Sequence, residues 1–140
     1  AKLTTQLETT RYQCLKMLYI LDRAQLLMLF GEKIKDHKHL TNPKKIYLNN
    51  SNLMCSLSPS NISEGNKRET FFANQLNSIA NVTIPKKGDF LVNSKFLFEV
   101  GGNSKTFDQI ANIPDSYLAI ADIETGSGNR IPLWMFGLLY

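Results

Sequence analysis

The chain of 140 residues is long enough for one ordinary core, or for a small module joined to a domain of about 100 residues. Its hydrophobic fraction of 43% and charged fraction of 20% are those of a globular protein, which excludes a disordered or fibrous chain. No apolar run approaches the ~20 residues that span a bilayer and no signal-peptide pattern opens the chain, so no membrane association and a cytoplasmic setting are expected.

The net charge of +4 is uneven. Residues 1–50 hold nine Lys/Arg against four Asp/Glu, and residues 51–140 hold seven against eight. Cys14 and Cys55 stand far apart, outside any Cys-x-x-Cys or Cys/His spacing, and read as reduced, packed thiols rather than a disulfide or zinc site. The opening Ala1-Lys2-Leu3-Thr4-Thr5 enters what reads as the middle of a helical region, so the chain is expected to be a fragment of a longer protein.

Thr9 or Thr10 is a suitable N-cap for a helix reaching about Ala24. Leu15, Leu18 and Leu21, with Cys14 and Tyr19 alongside, give it a wide apolar stripe and predict a well-buried helix. Leu26 to Phe30 is a compact apolar run ending at Gly31 and reads as a strand; Lys45-Ile46-Tyr47-Leu48 reads as a second. The loop between them holds Lys33, Lys35, Lys38 and Lys44, with Lys45 at its end and His37 and His39 within it. Such a basic segment can track phosphates, although no aromatic or Arg residue is interleaved to read bases, and a solvated loop of ordinary lysines is the alternative. The two histidines share one polar loop and read as exposed spectators rather than as parts of a Ser/His/Asp site. Helix, strand, basic loop, strand is the order of the later part of a winged helix, with the loop as wing.

Asn49-Asn50-Ser51-Asn52 is the best internal boundary and divides a segment 1–50 from a domain 51–140. Leu53 to Leu57 reads as a short helical turn before Ser58-Pro59-Ser60-Asn61. Ser63 can cap a helix running from Glu64 to about Ala80, with Phe71, Phe72, Leu76 and Ile79 on its buried face and Glu69 at the border of that face. Val82-Thr83-Ile84 reads as a short strand. Phe90 to Val92 and Phe96 to Val100 then flank Asn93-Ser94 as a β-hairpin. Asp89 precedes the first of these strands and Glu99 closes the second, so antiparallel pairing can bring two acids together at one edge. Either a cation joins them or they conflict.

Gly101-Gly102-Asn103-Ser104 interrupts the sheet pattern. Thr106 to Ala111 predicts a helix, stopped at Ile113-Pro114-Asp115, and Ser116 to Ala121 predicts a buried strand. Residues 122–130 read as an acidic, Gly-rich loop, and Ile131 to Tyr140 as an apolar tail, a short helix with Pro132 in its first turn. From Ser63 the order is helix, three strands, helix, strand and tail, which predicts an α/β domain in which a meander is followed by a crossover.

That order carries a resemblance. A helix bearing Glu69, Asp89 at a strand start, Glu99-Val100 at the end of the next strand, then a helix and a strand, resembles the core of the PD-(D/E)XK nuclease superfamily. More narrowly, the chain resembles the C-terminal region of a group of prokaryotic AAA+ ATPases that carries a domain of unknown function with a restriction-endonuclease-like fold. The phrases Lys45-Ile46-Tyr47-Leu48, Arg68-Glu69-Thr70-Phe71-Phe72, Lys87-Gly88-Asp89-Phe90-Leu91-Val92 and Phe98-Glu99-Val100-Gly101-Gly102 carry it, and it covers almost the whole chain. Residues 1–50 resemble the winged-helix segment that precedes the domain.

The resemblance implies a restriction-endonuclease-like α-β-β-β-α-β core and a site for Mg or Mn on Asp89, Glu99 and the Val100 carbonyl, with Glu69 as an outer acid holding a water. Magnesium takes one or two carboxylates with several waters, which fits that set. It also implies DNA and the ATPase domain of the same chain as partners, and ATP only through the part upstream of Ala1. The fragment has no GxxxxGK[ST] loop, so no ATP hydrolysis is expected of it. The family places a lysine two residues after the second acid, and here that position is Gly101. The first expectation is that Gly101-Gly102 marks an abandoned site and Lys105 only neutralises Asp89 and Glu99, leaving a weak or inactive nucleic-acid- or partner-binding module of the ATPase. The alternative is that Lys105 swings into the vacated space and Gln109 faces the same cleft, giving a DNA endonuclease with a migrated lysine. A third expectation is a scaffold in which the apolar tail and Trp134 dock the ATPase part or a second copy.

Overall fold

The protein is described by a computed structural model, covering residues 2–31, 42–57, 60 and 62–139. Lys33, Lys35, Lys38, His37 and His39 lie outside the described residues. The chain divides into two compact units, Ala1–Asn49 and Asn50–Tyr140.

In the first unit, α1 (Lys2–Gln6) and α2 (Arg11–Arg23) precede a two-stranded antiparallel sheet of β1 (Leu27–Phe30) and β2 (Lys45–Leu48). Helix α2 starts where it does because Thr10 completes a capping box: its Oγ1 accepts from the Gln13 N–H at 3.3 Å, and Gln13 Oε1 accepts from the Thr10 N–H. Asp22 near its other end accepts the Leu29 N–H at 3.0 Å, tying the helix to β1. Cys14, Leu15, Met28, Phe30 and Tyr47 are the buried apolar side chains of this unit. The expectation of a well-buried helix is corrected. Tyr12, Met17 and Ile20 are exposed, because among the described residues of this unit α2 has only a five-residue helix and a two-stranded ribbon to pack on.

In the second unit, α3 (Ser51–Leu57) and α4 (Glu64–Asn77) precede a five-stranded mixed sheet in the order β3 (Val82–Thr83), β4 (Phe90–Val92), β5 (Phe96–Gly101), β6 (Ser116–Ile120), β7 (Arg130–Pro132). The fold class is therefore α/β. Ser63 caps α4 by accepting the Asn66 N–H at 3.1 Å. The helix stops at Asn77, so Ile79 is exposed rather than part of the buried face. Pairing is antiparallel from β3 to β5 and parallel from β5 to β7. Asn93 and Ser94 turn the β4–β5 hairpin with φ of 52° and 57°, the left-handed pair of a type I′ turn, and the Lys95 N–H closes on the Val92 carbonyl.

Both faces of β5 and β6 are covered, which is why these strands are nearly continuous in burial. On one face the Phe72 ring of α4 meets Phe90, Phe98 and Phe136. On the other, Leu97, Leu118 and Ile120 pack around Ile110, with Leu91, Phe107, Ile113 and Ile123 at the margin. Glu99 follows Leu97 by two residues and so shares this second face.

Two expectations are corrected here. Thr106 to Ala111 forms successive turns, not a helix: the Phe107 carbonyl accepts the Ile110 N–H and the Ile110 carbonyl accepts the Ile113 N–H. Six residues give a costly helix nucleus, and the fully buried Ile110 ties the segment to the sheet instead. The tail begins as β7, paired parallel to β6, and continues as a 3₁₀ helix, Leu133–Leu138. Pro132 both ends the strand and stands as N-cap of the 3₁₀ helix, so the expected short helix is present one residue after it; an edge strand tolerates the proline because it breaks no inner ladder there. No helix among the described residues is long and apolar enough to cross a membrane.

Candidate metal-dependent hydrolytic site

The ladder between β4 and β5 ends in a kink that sets the first acid. Phe90 faces Phe98 in register, yet the Asp89 N–H also donates to the Phe98 carbonyl at 2.9 Å. Two successive residues thus oppose one, the pattern of a β-bulge, which re-aims a side chain at the end of a ladder. Asp89 consequently does not face Glu99 in a simple cross-strand pair. Its Oδ2 accepts the Val100 N–H at 2.9 Å, binding the carboxylate to the backbone of β5. Upstream, Gly88 has φ +77°, and a Cβ there would stand 3.0 Å from Leu97 Cδ1, so this approach to the sheet requires glycine.

Glu99 is 1% exposed and makes a 2.6 Å ion pair through Oε1 with Lys105 Nζ. Its other oxygen, Oε2, is buried and has no hydrogen-bond partner among the described residues. Thr70 Oγ1, on the fully buried residue next to Glu69 in α4, is the second such atom. Burial by itself pulls the Lys105 ammonium down. The Glu99 hydrogen bond and charge, followed by the charges of Asp89 and Glu69, outweigh that and hold its pKa above the ordinary 10.5. Lys105 is thus within electrostatic reach of all three acids.

The route of Lys105 explains Gly101. A Cβ at position 101 would lie 2.8 Å from Lys105 Cγ and 2.9 Å from its Cβ and Cδ. The lysine stem therefore crosses the space a side chain at 101 would fill, and brings its ammonium back to Glu99. The Lys105 N–H closes a turn on the Gly102 carbonyl, and the Gly101 carbonyl accepts the Ala121 N–H from the β6 side. Since Gly101 turns its carbonyl to β6, the Val100 carbonyl points the opposite way, to the edge where Asp89 sits.

Sequence reasoning missed two arginines. Arg68, one residue before Glu69, pairs with Asp122 at 3.2 Å, and its guanidinium lies 3.1 Å from where a Gly102 Cβ would be. It clamps the start of α4 over the glycine pair. Arg130 of β7 donates to the carbonyls of Lys105 and Asn103 and to Asn103 Oδ1, bracing the loop from which Lys105 springs. The only sequence signal for Arg68 was its place beside Glu69, and Arg130 had none, because its partner Asn103 is 27 residues away.

Gln109 is exposed and lies in a turn, because the helix expected to carry it does not form. Lys44 and Lys45 belong to the first unit. Lys44 is exposed, and the Lys45 ammonium lies 5.8 Å from the centre of the Tyr47 ring. Cys14 is buried as expected, whereas Cys55 is exposed.

Among the described residues no three His, Cys, Asp or Glu side chains form a ready metal-binding group. The donor chemistry nonetheless fits a hard divalent cation. Two carboxylates on neighbouring strands, a strand carbonyl directed to the same edge and an unpartnered buried oxygen on Glu99 are the oxygen donors magnesium or manganese takes alongside water. Comparison with known proteins assigns no relative: no family model matches the chain, and no curated protein or solved structure matches it.

Proposed function

We propose that residues 50–140 are a nuclease-like domain of the PD-(D/E)XK type that hydrolyses phosphodiesters of DNA, with its lysine supplied from position 105 instead of 101. The observation that carries this reading is the passage of Lys105 across Gly101 to Glu99, within reach of Asp89 and Glu69. Asp89, Glu99 and the Val100 carbonyl would hold Mg or Mn. The bound cation would neutralise phosphate oxygens and lower the pKa of the attacking water. Glu69 orients a water from the border of α4. Lys105, held protonated by its acidic neighbours, serves as a donor to a phosphate oxygen and not as a base. Arg68 and Arg130 fix the two segments that bring Glu69 and Lys105 together.

Plasmid nicking in the presence of manganese tests the reading. The wild-type chain is expected to cleave, and Asp89→Ala and Glu99→Ala each to lose about 100-fold or more. Equal cleavage by all three proteins would sink the claim.

A second reading is favoured by the 2.6 Å Lys105–Glu99 ion pair, which is also what a silent site would keep. The chain is then the C-terminal nucleic-acid- or partner-binding module of an AAA+ ATPase, with residues 1–50 as part of a winged helix and Lys33, Lys35, Lys38, Lys44 and Lys45 on phosphates. Here duplex DNA binding without cleavage is expected to weaken steeply between low and moderate salt. Affinity unchanged by salt counts against it. The exposed Trp134 and Leu138 of the 3₁₀ helix support a scaffold role beside either reading, docking the ATPase part or a second copy.

A further inference from the structure

We propose that Lys105 is a displaceable latch on Glu99: its ammonium holds Oε1 while a divalent cation would take Oε2 of the same carboxylate, so the two compete for one charge and loading of the site is opposed until the ammonium moves off. This rests on the nuclease-like reading of the same acids and deepens it by assigning what governs metal loading.

Three features lead there. The ammonium stands 2.6 Å from Glu99 Oε1, as a resident positive charge. A metal at ~2.1 Å from Oε2 of the same carboxylate would lie within roughly 6 Å of that ammonium and repel it. The second feature is the half-used carboxylate. Glu99 is 1% exposed, with one oxygen bridged by Lys105 and the other buried without a partner among the described residues. Buried oxygens are normally satisfied, so an orphan beside an acidic pair is a donor with work left to do. The third is the path. The stem rests on a position where even a methyl group would come within 2.8 Å of it, so the latch is seated by the bare backbone of Gly101. Lys105 is also partly exposed, which gives the ammonium somewhere to go.

Charge points the same way. One lysine stands among three acids, Glu69, Asp89 and Glu99, so the cluster remains anionic with the latch in place and becomes more so when it swings out. The latch therefore sets the affinity for the metal without being one of its ligands.

The test is Mn²⁺ binding to the full chain, followed through the electron paramagnetic resonance of free Mn²⁺ at pH 8, with no DNA present. Lys105→Met is expected to bind Mn²⁺ about tenfold more tightly than wild type, or better. Gly101→Ala, which keeps the lysine charge but pushes its stem aside, is expected to gain by a smaller factor. Thermal unfolding with and without Mn²⁺ checks that each variant folds, and Lys105→Met should show the larger Mn²⁺-induced rise in Tm. A folded Lys105→Met with wild-type or weaker affinity overturns the latch. If that binding is still abolished by Glu99→Gln, the metal site itself stands. Absence of saturable Mn²⁺ binding in all of these proteins overturns the latch and the metal-site reading together. Should Lys105→Met not fold, Gly101→Ala decides alone, and no gain in its affinity overturns the latch.

Discussion

Replacing Phe72 by alanine is expected to lower the unfolding free energy of the second unit by about 3–5 kcal/mol. Phe72 is fully buried, and its ring centre lies 5.2 Å from that of Phe90, 5.0 Å from Phe98 and 4.7 Å from Phe136. One side chain thereby joins α4, two strands of the sheet and the 3₁₀ helix. Removing it deletes apolar area and leaves a hole that the remaining rings cannot close without disturbing the edge contact between Phe98 and Phe136. Urea denaturation followed by fluorescence of Trp134 reads the loss directly. A change below about 1 kcal/mol would show that the three rings repack, contrary to the arrangement described. The site should suffer too, because α4 carries Arg68 and Glu69 on the half of the helix that precedes Phe72.

The second large effect falls on the ion pair. Lys105→Met leaves Glu99 buried without its cation, which typically costs 3–5 kcal/mol for an enclosed pair. The lysine side chain is 30% exposed, so solvent moderates this to about 2–3 kcal/mol. Adding Glu99→Leu should return most of it, since an apolar pair of similar size removes the stranded charge. An equal cost in the double variant would place the loss in packing of the lysine stem on Gly101 instead. The pH dependence has a definite sign. The folded chain holds the Lys105 proton more tightly than the unfolded chain, whose lysines titrate near the ordinary 10.5. The ion pair therefore contributes in full below the unfolded pKa, and the contribution is lost as pH rises through the higher folded one. Wild type should weaken along this alkaline limb more than Lys105→Met does.

What the sequence revealed of this fold is what short-range chemistry governs. Thr10 and Ser63 announce their helices because a cap needs only the next three residues, and the β4–β5 hairpin is legible because Asn93-Ser94 accepts two left-handed conformations in a row. The crossover to a parallel strand is present, but its helix was misread because Thr106 to Ala111 has ordinary helical residues, while the decisive fact is tertiary: Ile110 fills a place between Leu97, Leu118 and Ile120. β7 was read as loop and tail because three residues ending in proline carry no strand signal of their own, and only pairing with β6 defines them. On α2 the predicted stripe is only partly covered: Cys14 and Leu15 are buried but Leu18, Tyr19 and Leu21 only half-buried, since an apolar stripe states what a helix can bury and not what is there to bury it.

At the site, Asp89 and Glu99 could be picked out as acids at the open end of a hairpin. Their actual relation could not, because the bulge at Asp89 turns it onto the Val100 N–H. Lys105 was legible as the lysine that reaches these acids, and its pair with Glu99 is present. That Gly101 is the surface on which it lies follows only from the folded arrangement, as does the bracing of its loop by Arg130 from the far edge of the sheet.

The mixed sheet also bears on what its edges offer to an incoming strand. Its inner strands hold Phe-Leu-Phe-Glu-Val and Ser-Tyr-Leu-Ala-Ile, runs rich in the residues that favour cross-β stacking if presented to another chain. The sheet ends at β3, only two residues long and separated from them by β4, and at β7, three residues closing in a proline. A two-residue edge offers an incoming strand almost no ladder, and Pro132 has no amide hydrogen to offer it. The inner segments thus lie behind short edge strands, so the edges of the sheet guard its centre.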